Sequence, residues 1–446
     1  TAGLVLSVVS GTPYWVGVVI AGAVVSATLA LGGMRAATYV QAFQFCLKIV
    51  LFIIPAIWLL LRVGPEVRAE SVHPVEFTHF GHDTPVTFRS PVTLDIRDET
   101  VVRTPAGEVI TLPAGDFQVP AGQTYVFPRG SGVPGLHGQT PPGGPGWERP
   151  LIDVQNAGHP LLGTWAVLLA TMLGTMGLPH VLMRFHTSPN GRAARRTAAL
   201  TVVLLSVFYL FPGIYGVLGR VLVPQLYLSG ATDTAVVALP SQVDNGVWAD
   251  TFTALLTAGA FAAFLATSLG LLLVVAGAIS HDLLAGGLSQ LRITVVLAAA
   301  GVVLLALPAA RVDAGTLVTW GFTVAASTFS PLLVLGIWWS RLTAPGAIAG
   351  VAVGLLATAG AIVATLFGPP VDGWLAILVA QPAPWSVPLA FGTMVVVSLF
   401  GRPPAWATAA MLRLHLPDDG YDADHSTVGS DRSSTVRRTV RRFVRW

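Results

Sequence analysis

Long apolar runs that carry almost no charge constrain the fold of this chain more than any other feature. A helix needs about 20 mostly apolar residues to cross the hydrocarbon core of a bilayer. Only 11% of the 446 residues are charged, against roughly 25% in an ordinary soluble domain. We therefore predict an all-α polytopic membrane protein, with the end of a further helix at residues 1–10. The predicted spans are 14–33, 37–62, 161–183, 197–220, 250–280, 291–310, 315–339, 345–367 and 384–400.

The arginines predict the orientation of these spans, because the cytoplasmic loops of membrane proteins are enriched in Lys and Arg. Residues 221–249 and 368–383 contain neither, and they alternate along the chain with loops that contain arginine. We expect the arginine-bearing side to be the cytoplasmic face of the cell membrane. Its arginines are Arg35, Arg184, Arg192, Arg195, Arg196, Arg292, Arg341 and those of the C-terminal tail, 401–446.

The hydrophilic segment 64–160 falls outside the cell by the same count. Two of its runs, Glu108–Leu112 and Gln123–Phe127, are separated by Pro-Ala-Gly turns, and this pattern predicts short β-hairpins. The Pro/Gly-rich stretch 130–146 predicts irregular backbone. We expect a small extracytoplasmic β-rich loop at 64–160.

In the tail at 401–446, acidic residues from Asp418 to Asp431 precede a series of arginines from Arg437 to Arg445. Val436, Val440 and Phe443 would share one side of a helix among those arginines, which is typical of an interfacial helix on anionic lipid. A disordered basic tail accounts for the composition equally well.

The chain contains no enzyme motif: neither a Gly-rich phosphate loop, nor HExxH, nor a Cys/His cluster. It also lacks the basic patch with interleaved aromatic residues that nucleic-acid binding favours. No acidic residue lies in the middle of a predicted span, although intramembrane carboxylates are the usual proton relays. The spans contain hydroxyls, glycines and backbone carbonyls, which are the ligands that dehydrated Na⁺ accepts. We expect a secondary transporter, not an enzyme, with no cofactor besides a coupling ion.

Lys48 is the only lysine in the chain and lies near the middle of the span 37–62. A buried ammonium group is costly there, so it needs a partner, a water-filled cavity or a lowered pKa. It either takes part in transport or only faces a cavity, and the sequence leaves both readings open.

At this point the sequence resembles the sodium/solute symporter family, and within it the acetate and monocarboxylate permease-like branch. Gly32 and Gly33, followed by Met34-Arg35-Ala36 and Gln41, resemble the family's cytoplasmic turn between two helices. Further matches occur in family order and cover nearly all the chain except the external loop and the tail. They are Gly174 to Gly177, Leu178, Pro179, His180 and Arg184; Ala276 to Asp282; and Phe329 to Pro331 with Trp338, Trp339 and Arg341.

The resemblance implies a LeuT-type fold of two inverted five-helix repeats, with substrate and ion near the bilayer midplane. Residues 161–339 would form the second repeat, and residues 340–400 peripheral C-terminal helices. Residues 1–63 would supply only the last helices of the first repeat, without its broken first helix. We expect the coding DNA upstream of Thr1 to encode at least three further spans.

The resemblance also places the sodium site of the second repeat at Ala263, Ala266 and Thr267. Relatives with a well-defined sodium dependence carry a hydroxyl at the position of Ala266 and, in several cases, an aspartate at that of Gln41. The choice between Na⁺ and H⁺ as coupling ion therefore stays open. Ser268 could substitute for the lost oxygen, although it is rotated about 100° from Thr267 on a helix.

Thr171 and Thr175 would line the substrate site of the span 161–183, with Met176 beside them. The two threonines are one helical turn apart and share a face of the helix. Two hydroxyls could hydrogen-bond a carboxylate of two to four carbons, while the cation or Lys48 offsets its charge. Small threonines that pack one helix against another are an equally good account.

These observations predict cation-coupled symport of a small monocarboxylate such as acetate, propionate or pyruvate, with the lipid bilayer as the other partner. A proline or amino-acid symporter is the alternative within transport. A transporter-like membrane sensor is the alternative outside it, although the tail is too short to hold a kinase domain.

Overall fold

The computed structural model describes most of the chain in atomic detail. The described residues are 3, 6, 11–73, 76–137, 142–143, 160–185, 190–284, 288–307, 312, 314–369, 371 and 373–415. The chain divides into two compact units. Unit 1 comprises Thr1–Thr164 and Leu178–Thr319, and unit 2 comprises Trp165–Gly177 and Trp320–Trp446.

Helices dominate both units. They are α1 (Tyr14–Arg62), α2 (Pro65–Val72), α3 (Pro160–Gly177), α4 (Pro179–Phe185), α5 (Gly191–Leu222), α6 (Gln225–Leu228), α7 (Ala235–Val243), α8 (Val247–Ala278), α9 (Leu288–Ala306), α10 (Ala314–Trp338), α11 (Ala344–Phe367), α12 (Gly373–Ala380), α13 (Ala383–Phe400) and α14 (Ala407–His415). A π-helical turn, Ile279–Leu283, follows α8.

Within the described residues, nine segments are long and apolar enough to cross a membrane. They confirm the sequence prediction and identify a multi-pass membrane protein. The segments are Tyr14–Leu31, Tyr39–Arg62, Leu161–Leu182, Gly191–Leu222, Val247–Leu283, Ser289–Ala306, Ala314–Trp338, Ala344–Phe367 and Ala383–Phe400.

The prediction of a turn at Gly32–Ala36 is wrong. Helix α1 runs without interruption for 49 residues, so the first two spans share one helix. Two glycines lower helix propensity by roughly 1 kcal/mol each relative to alanine, but the one proline of this helix, Pro55, lies about six turns further on and removes no hydrogen bond near them. The reversal between the first two spans, which the orientation count assumed, is absent from this structure.

Two apolar clusters hold α1 in unit 1. Near its C-terminal end, Leu59 is fully buried with residues of α5, α7 and α8, and the Tyr215 hydroxyl donates to the Phe52 carbonyl at 2.8 Å. Nearer its N-terminal end, Val25 and Leu29 pack against α8 and α9. Helix α8 therefore lies along a large part of α1.

The segment after α2 forms two small antiparallel sheets that share one apolar core; we call residues 76–137 the β-unit. Its strands are β1 (Thr84–Thr87), β2 (Val92–Ile96), β3 (Thr100–Arg103), β4 (Val109–Leu112), β5 (Gly115–Val119), β6 (Thr124–Phe127) and β7 (Gly135–Leu136). One sheet has the order β1-β6-β3-β4 and the other β5-β2-β7.

The structure confirms the β-rich loop. Both predicted runs are strands, β4 and β6, and they lie on either side of β3. The hairpin is β3–β4, whose turn has Gly107 at φ +87°, a value that favours glycine.

Within 130–146, Gly135–Leu136 is a strand where we expected irregular backbone. Residues 138–141 and 144–146 lie outside the described residues. The tail from residue 416, where we expected an interfacial helix, also lies outside the described residues.

Polar contacts fix the β-unit to the neighbouring helices of unit 1. Leu228 of α6 lies in the core of the β-unit, and the Tyr227 hydroxyl accepts a hydrogen bond from the Leu136 N–H at 3.1 Å. The buried Arg220 of α5 donates to the Thr78 hydroxyl at 2.9 Å and to the Glu70 carbonyl. The β-unit is therefore an integral part of unit 1.

Glycines allow close helix packing in unit 2. Gly346, Gly350 and Gly354 recur every four residues along α11, and a Cβ at any of them would overlap neighbouring atoms of α10 or α13. Such small-residue spacing is typical of helix contacts in membranes. The buried hydroxyls of Ser327 and Ser386 lie 2.7 Å apart and join α10 to α13.

Candidate functional site

A membrane helix is interrupted at Leu178, between α3 and α4. Pro179 has no N–H, so it cannot donate to the Thr175 carbonyl as residue i+4 of a continuous helix would. The Val181 N–H, which a continuous helix would direct to Gly177, donates instead to the Leu178 carbonyl at 3.1 Å. The carbonyls of Thr175 and Gly177 thus lack their regular helical donors. Irregular backbone at membrane depth is typical of positions that line a cavity or a binding site.

The motif glycines before the interruption have a packing role in unit 2. A Cβ at Gly177 would lie 2.7 Å from the Ala325 carbonyl oxygen of α10, and Gly174 contacts the Phe322 backbone in the same way. Any side chain at these two positions would push α10 away. The predicted role of Gly177 as a structural residue agrees with this close approach.

Thr171, Thr175 and Met176 are all exposed on α3. The Thr171 hydroxyl donates to the Val167 carbonyl at 2.8 Å, and the Thr175 hydroxyl donates to the Thr171 carbonyl at 2.6 Å. Each hydroxyl proton is therefore engaged within the helix. A cation can still use the hydroxyl lone pairs, whereas a carboxylate needs the proton and so requires rotation of the hydroxyl about its Cβ–Oγ1 bond. Their role in substrate binding stays a prediction.

The residues expected to bind sodium lie on one stretch of α8 in unit 1. The Thr267 hydroxyl donates to the Ala263 carbonyl at 3.1 Å, and both Thr267 and Ser268 are exposed. Ala266 is buried, and its carbonyl accepts a hydrogen bond of 2.7 Å from Nε2 of Gln41. A cation at the Ala266 carbonyl would share that oxygen with the Gln41 amide.

A polar stripe on α1 faces this stretch and was only partly recognised from sequence. Gln41, Gln44 and Lys48 have the i, i+3, i+7 spacing of one helix face, and all three are partly buried. Oε1 of Gln44 is buried without a hydrogen-bond partner in the described part of the chain. The spacing of three polar residues within an apolar span was the signal that could have identified Gln44.

Lys48 belongs to the same face as Gln41, two helical turns away. Gln41 contacts Ala266, while Leu51 and Phe52 pack against Gly259. Lys48 therefore lies at a level of α1 between these two contacts with α8. Its side chain makes no hydrogen bond or ion pair with any residue that the structure describes.

The remaining motif residues are placed as follows. Pro179 and His180 begin α4, and the His180 ring lies 4.0 Å from where a Cβ would stand at Gly270 of α8. The backbone of Gly32, Gly33 and Arg184 is helical. The surroundings of these three residues are not among the described features.

Residues 159–354 match the family model described as "Sodium:solute symporter family". This segment, 159–354, is similar to the sodium:solute symporter family. It contains the interrupted helix, the exposed threonines of α3 and the α8 stretch 263–268. The polar stripe of α1 and the β-unit lie outside it.

One relative of this chain is a protein of Corynebacterium glutamicum named "Monocarboxylic acid transporter". The two are 31% identical over an alignment of 262 residues that covers 53% of this chain and 46% of the relative. The chain thus spans about half the length of the curated relative that it matches.

Proposed function

We propose that this chain acts in a secondary active transporter that couples a cation, Na⁺ or H⁺, to the uptake of a small monocarboxylate. The observation that carries the proposal is the interrupted helix, which leaves two carbonyl oxygens without their regular donors inside the segment that matches the symporter family. The name of the relative from C. glutamicum supports the substrate class.

The two functional groups of the proposed site have complementary chemistry. Carbonyl and hydroxyl oxygens at Thr175 and Gly177 suit a partly dehydrated cation. A bound cation would offset the charge of the carboxylate, and Thr171 and Thr175 would contact its oxygens after rotation of a hydroxyl. As a separate proposal within unit 1, the α8 stretch at 263–268 supplies cation ligands and Lys48 offsets negative charge. The inverted-repeat arrangement is part of the same proposal.

Uptake competition tests the substrate class. Proteoliposomes that contain the full-length protein should take up labelled acetate, and unlabelled propionate and pyruvate should compete with it. Proline and leucine at the same concentration should not. Competition by proline alone would replace the proposal with an amino-acid symporter.

We also propose that the β-unit is extracytoplasmic and the tail cytoplasmic. Among the residues that the structure describes, one candidate span, Leu161–Leu182, lies between the β-unit and the arginines at 184–196. The orientation of the β-unit therefore does not depend on the absent turn in α1. In a Cys46→Ala background, Ser131→Cys should react with an impermeant maleimide in intact cells, and Ser434→Cys should not. The reverse pattern of labelling would invert the orientation.

A further inference from the structure

The β-unit contains a cavity of about 550 Å³ at one end of its two sheets. Four buried apolar side chains form its floor: Ile96, Leu112, Phe127 and Val133. This volume lies within the range of roughly 300–1,000 Å³ that is usual for small-molecule sites, which are also mostly apolar with a few polar groups. The cavity lies outside the symporter segment and has no part in the transport site proposed above.

Charged side chains of both signs surround the opening of this cavity. Glu76 and Asp98 supply two carboxylates, and Arg97 supplies one guanidinium group. All three residues are exposed, so their polar groups are accessible to a ligand that enters from solvent.

Arg97 is held in place without using its hydrogen-bond donors. Its guanidinium carbon lies over the Phe77 ring, 2.9 Å from the ring centroid, which is a cation–π arrangement that leaves the N–H groups free at the edge. No hydrogen bond or ion pair to Arg97 occurs among the described residues. Burial lowers the pKa of the guanidinium, and the nearby Asp95 and Asp98 carboxylates oppose that change.

The charges exclude simple ions and favour a zwitterion. A monoanion would gain Arg97 but would meet two carboxylates at the same opening. A monocation would gain Glu76 and Asp98 but would meet the guanidinium. A molecule that carries both a carboxylate and an ammonium group can satisfy each, while the apolar floor accepts an apolar body.

We propose that this cavity binds a small zwitterion with an apolar body, of the size of a hydrophobic amino acid. The carboxylate pairs with the donors of Arg97, because a guanidinium matches a carboxylate bidentately. The ammonium group lies towards Glu76 and Asp98. The side chain packs on Leu112 and Phe127. The protein would thus bind an amino acid outside the membrane, in addition to the monocarboxylate that it transports.

Three ligands that share the isobutyl group of leucine test the charge requirement. They are leucine, 4-methylpentanoate, which lacks the ammonium group, and isoamylamine, which lacks the carboxylate. Binding to the purified full-length protein in detergent would be measured by saturation-transfer NMR and by hydrogen exchange. We expect leucine to bind at least tenfold more tightly than either analogue, and to protect the amides of 96–100, Gly132 and Val133.

Two variants and a matched control place the binding in the β-unit. Arg97→Gln and Glu76→Gln should each weaken leucine binding at least tenfold, whereas Arg103→Gln, an exposed arginine on β3 away from the cavity, should leave it unchanged. Acetate uptake should be the same in all three, which separates this site from the transport site. The proposal is overturned if 4-methylpentanoate or isoamylamine binds as tightly as leucine, if leucine does not bind, or if both variants bind leucine normally.

Discussion

Replacing Pro179 with alanine tests the interruption between α3 and α4. Alanine supplies the N–H that proline lacks, and the Thr175 carbonyl then has a helical donor across Leu178. A net hydrogen bond contributes about 1 kcal/mol, and 1.4 kcal/mol corresponds to a tenfold change in an equilibrium constant. The fraction of protein in which a cation can reach the Thr175 carbonyl should therefore fall about fivefold.

The assay is acetate uptake by proteoliposomes across a series of cation concentrations. Pro179→Ala should raise the half-saturating cation concentration about fivefold. Pro388→Ala, which also adds one N–H inside a helix of unit 2, should leave it unchanged. With equal amounts of protein in the membrane, a Pro179→Ala variant indistinguishable from the parent would refute the role of the free carbonyl.

Three further predictions concern single residues. Thr175→Val keeps the shape of threonine and removes a hydroxyl whose hydrogen bond contributes about 1 kcal/mol, so the half-saturating acetate concentration should rise severalfold. Thr175→Tyr should abolish uptake, because the larger side chain fills the site. Normal uptake by both variants would assign this face of α3 to helix packing. Thr267→Ala should raise the half-saturating cation concentration about tenfold, and an unchanged ion dependence would remove Thr267 from the site. Asp244 accepts from Arg62 at 2.9 Å, and that hydrogen bond lowers the pKa of Asp244. Its contribution to stability is present above the ordinary carboxyl pKa near 4 and is lost as the pH falls through the lowered value, so Asp244→Asn should lower the melting temperature more at pH 7 than at pH 2. An equal effect at both pH values would exclude the ion pair as the cause.

The membrane helices were predictable because a run of about 20 apolar residues has few other stable solutions. The same reasoning failed at Gly32 and Gly33, where a local preference for a turn was weaker than continuous helical hydrogen bonding. Neighbouring helices decide such a case, since α8 and α9 pack along α1. The local sequence around Gly32 and Gly33 does not predict those contacts.

In the β-unit, strands were predictable and their partners were not. Strand β6 pairs with β1, some 40 residues earlier, and the apolar cluster that selects this pairing includes Leu228 of α6. Contacts between residues so distant in sequence leave no local pattern. The cavity beside Arg97 was unpredictable for the same reason.

At the candidate site, residue types were more predictable than contacts. Gln41 was noted because relatives have an aspartate there, but its hydrogen bond to the Ala266 carbonyl joins residues on two distant helices. Thr171 and Thr175 were correctly expected to be one turn apart. That their hydroxyl protons are engaged by the helix follows only from the side-chain rotamers.

Cation-driven accumulation of acetate is the most direct test of the central claim. Proteoliposomes containing the full-length protein would be given an inward Na⁺ gradient or, separately, an inward proton gradient, and internal labelled acetate would be followed over time. The account predicts accumulation above the external concentration with one of the two gradients, and its loss when an ionophore dissipates that gradient. Equilibration to the external concentration under both gradients, with no overshoot, would contradict it.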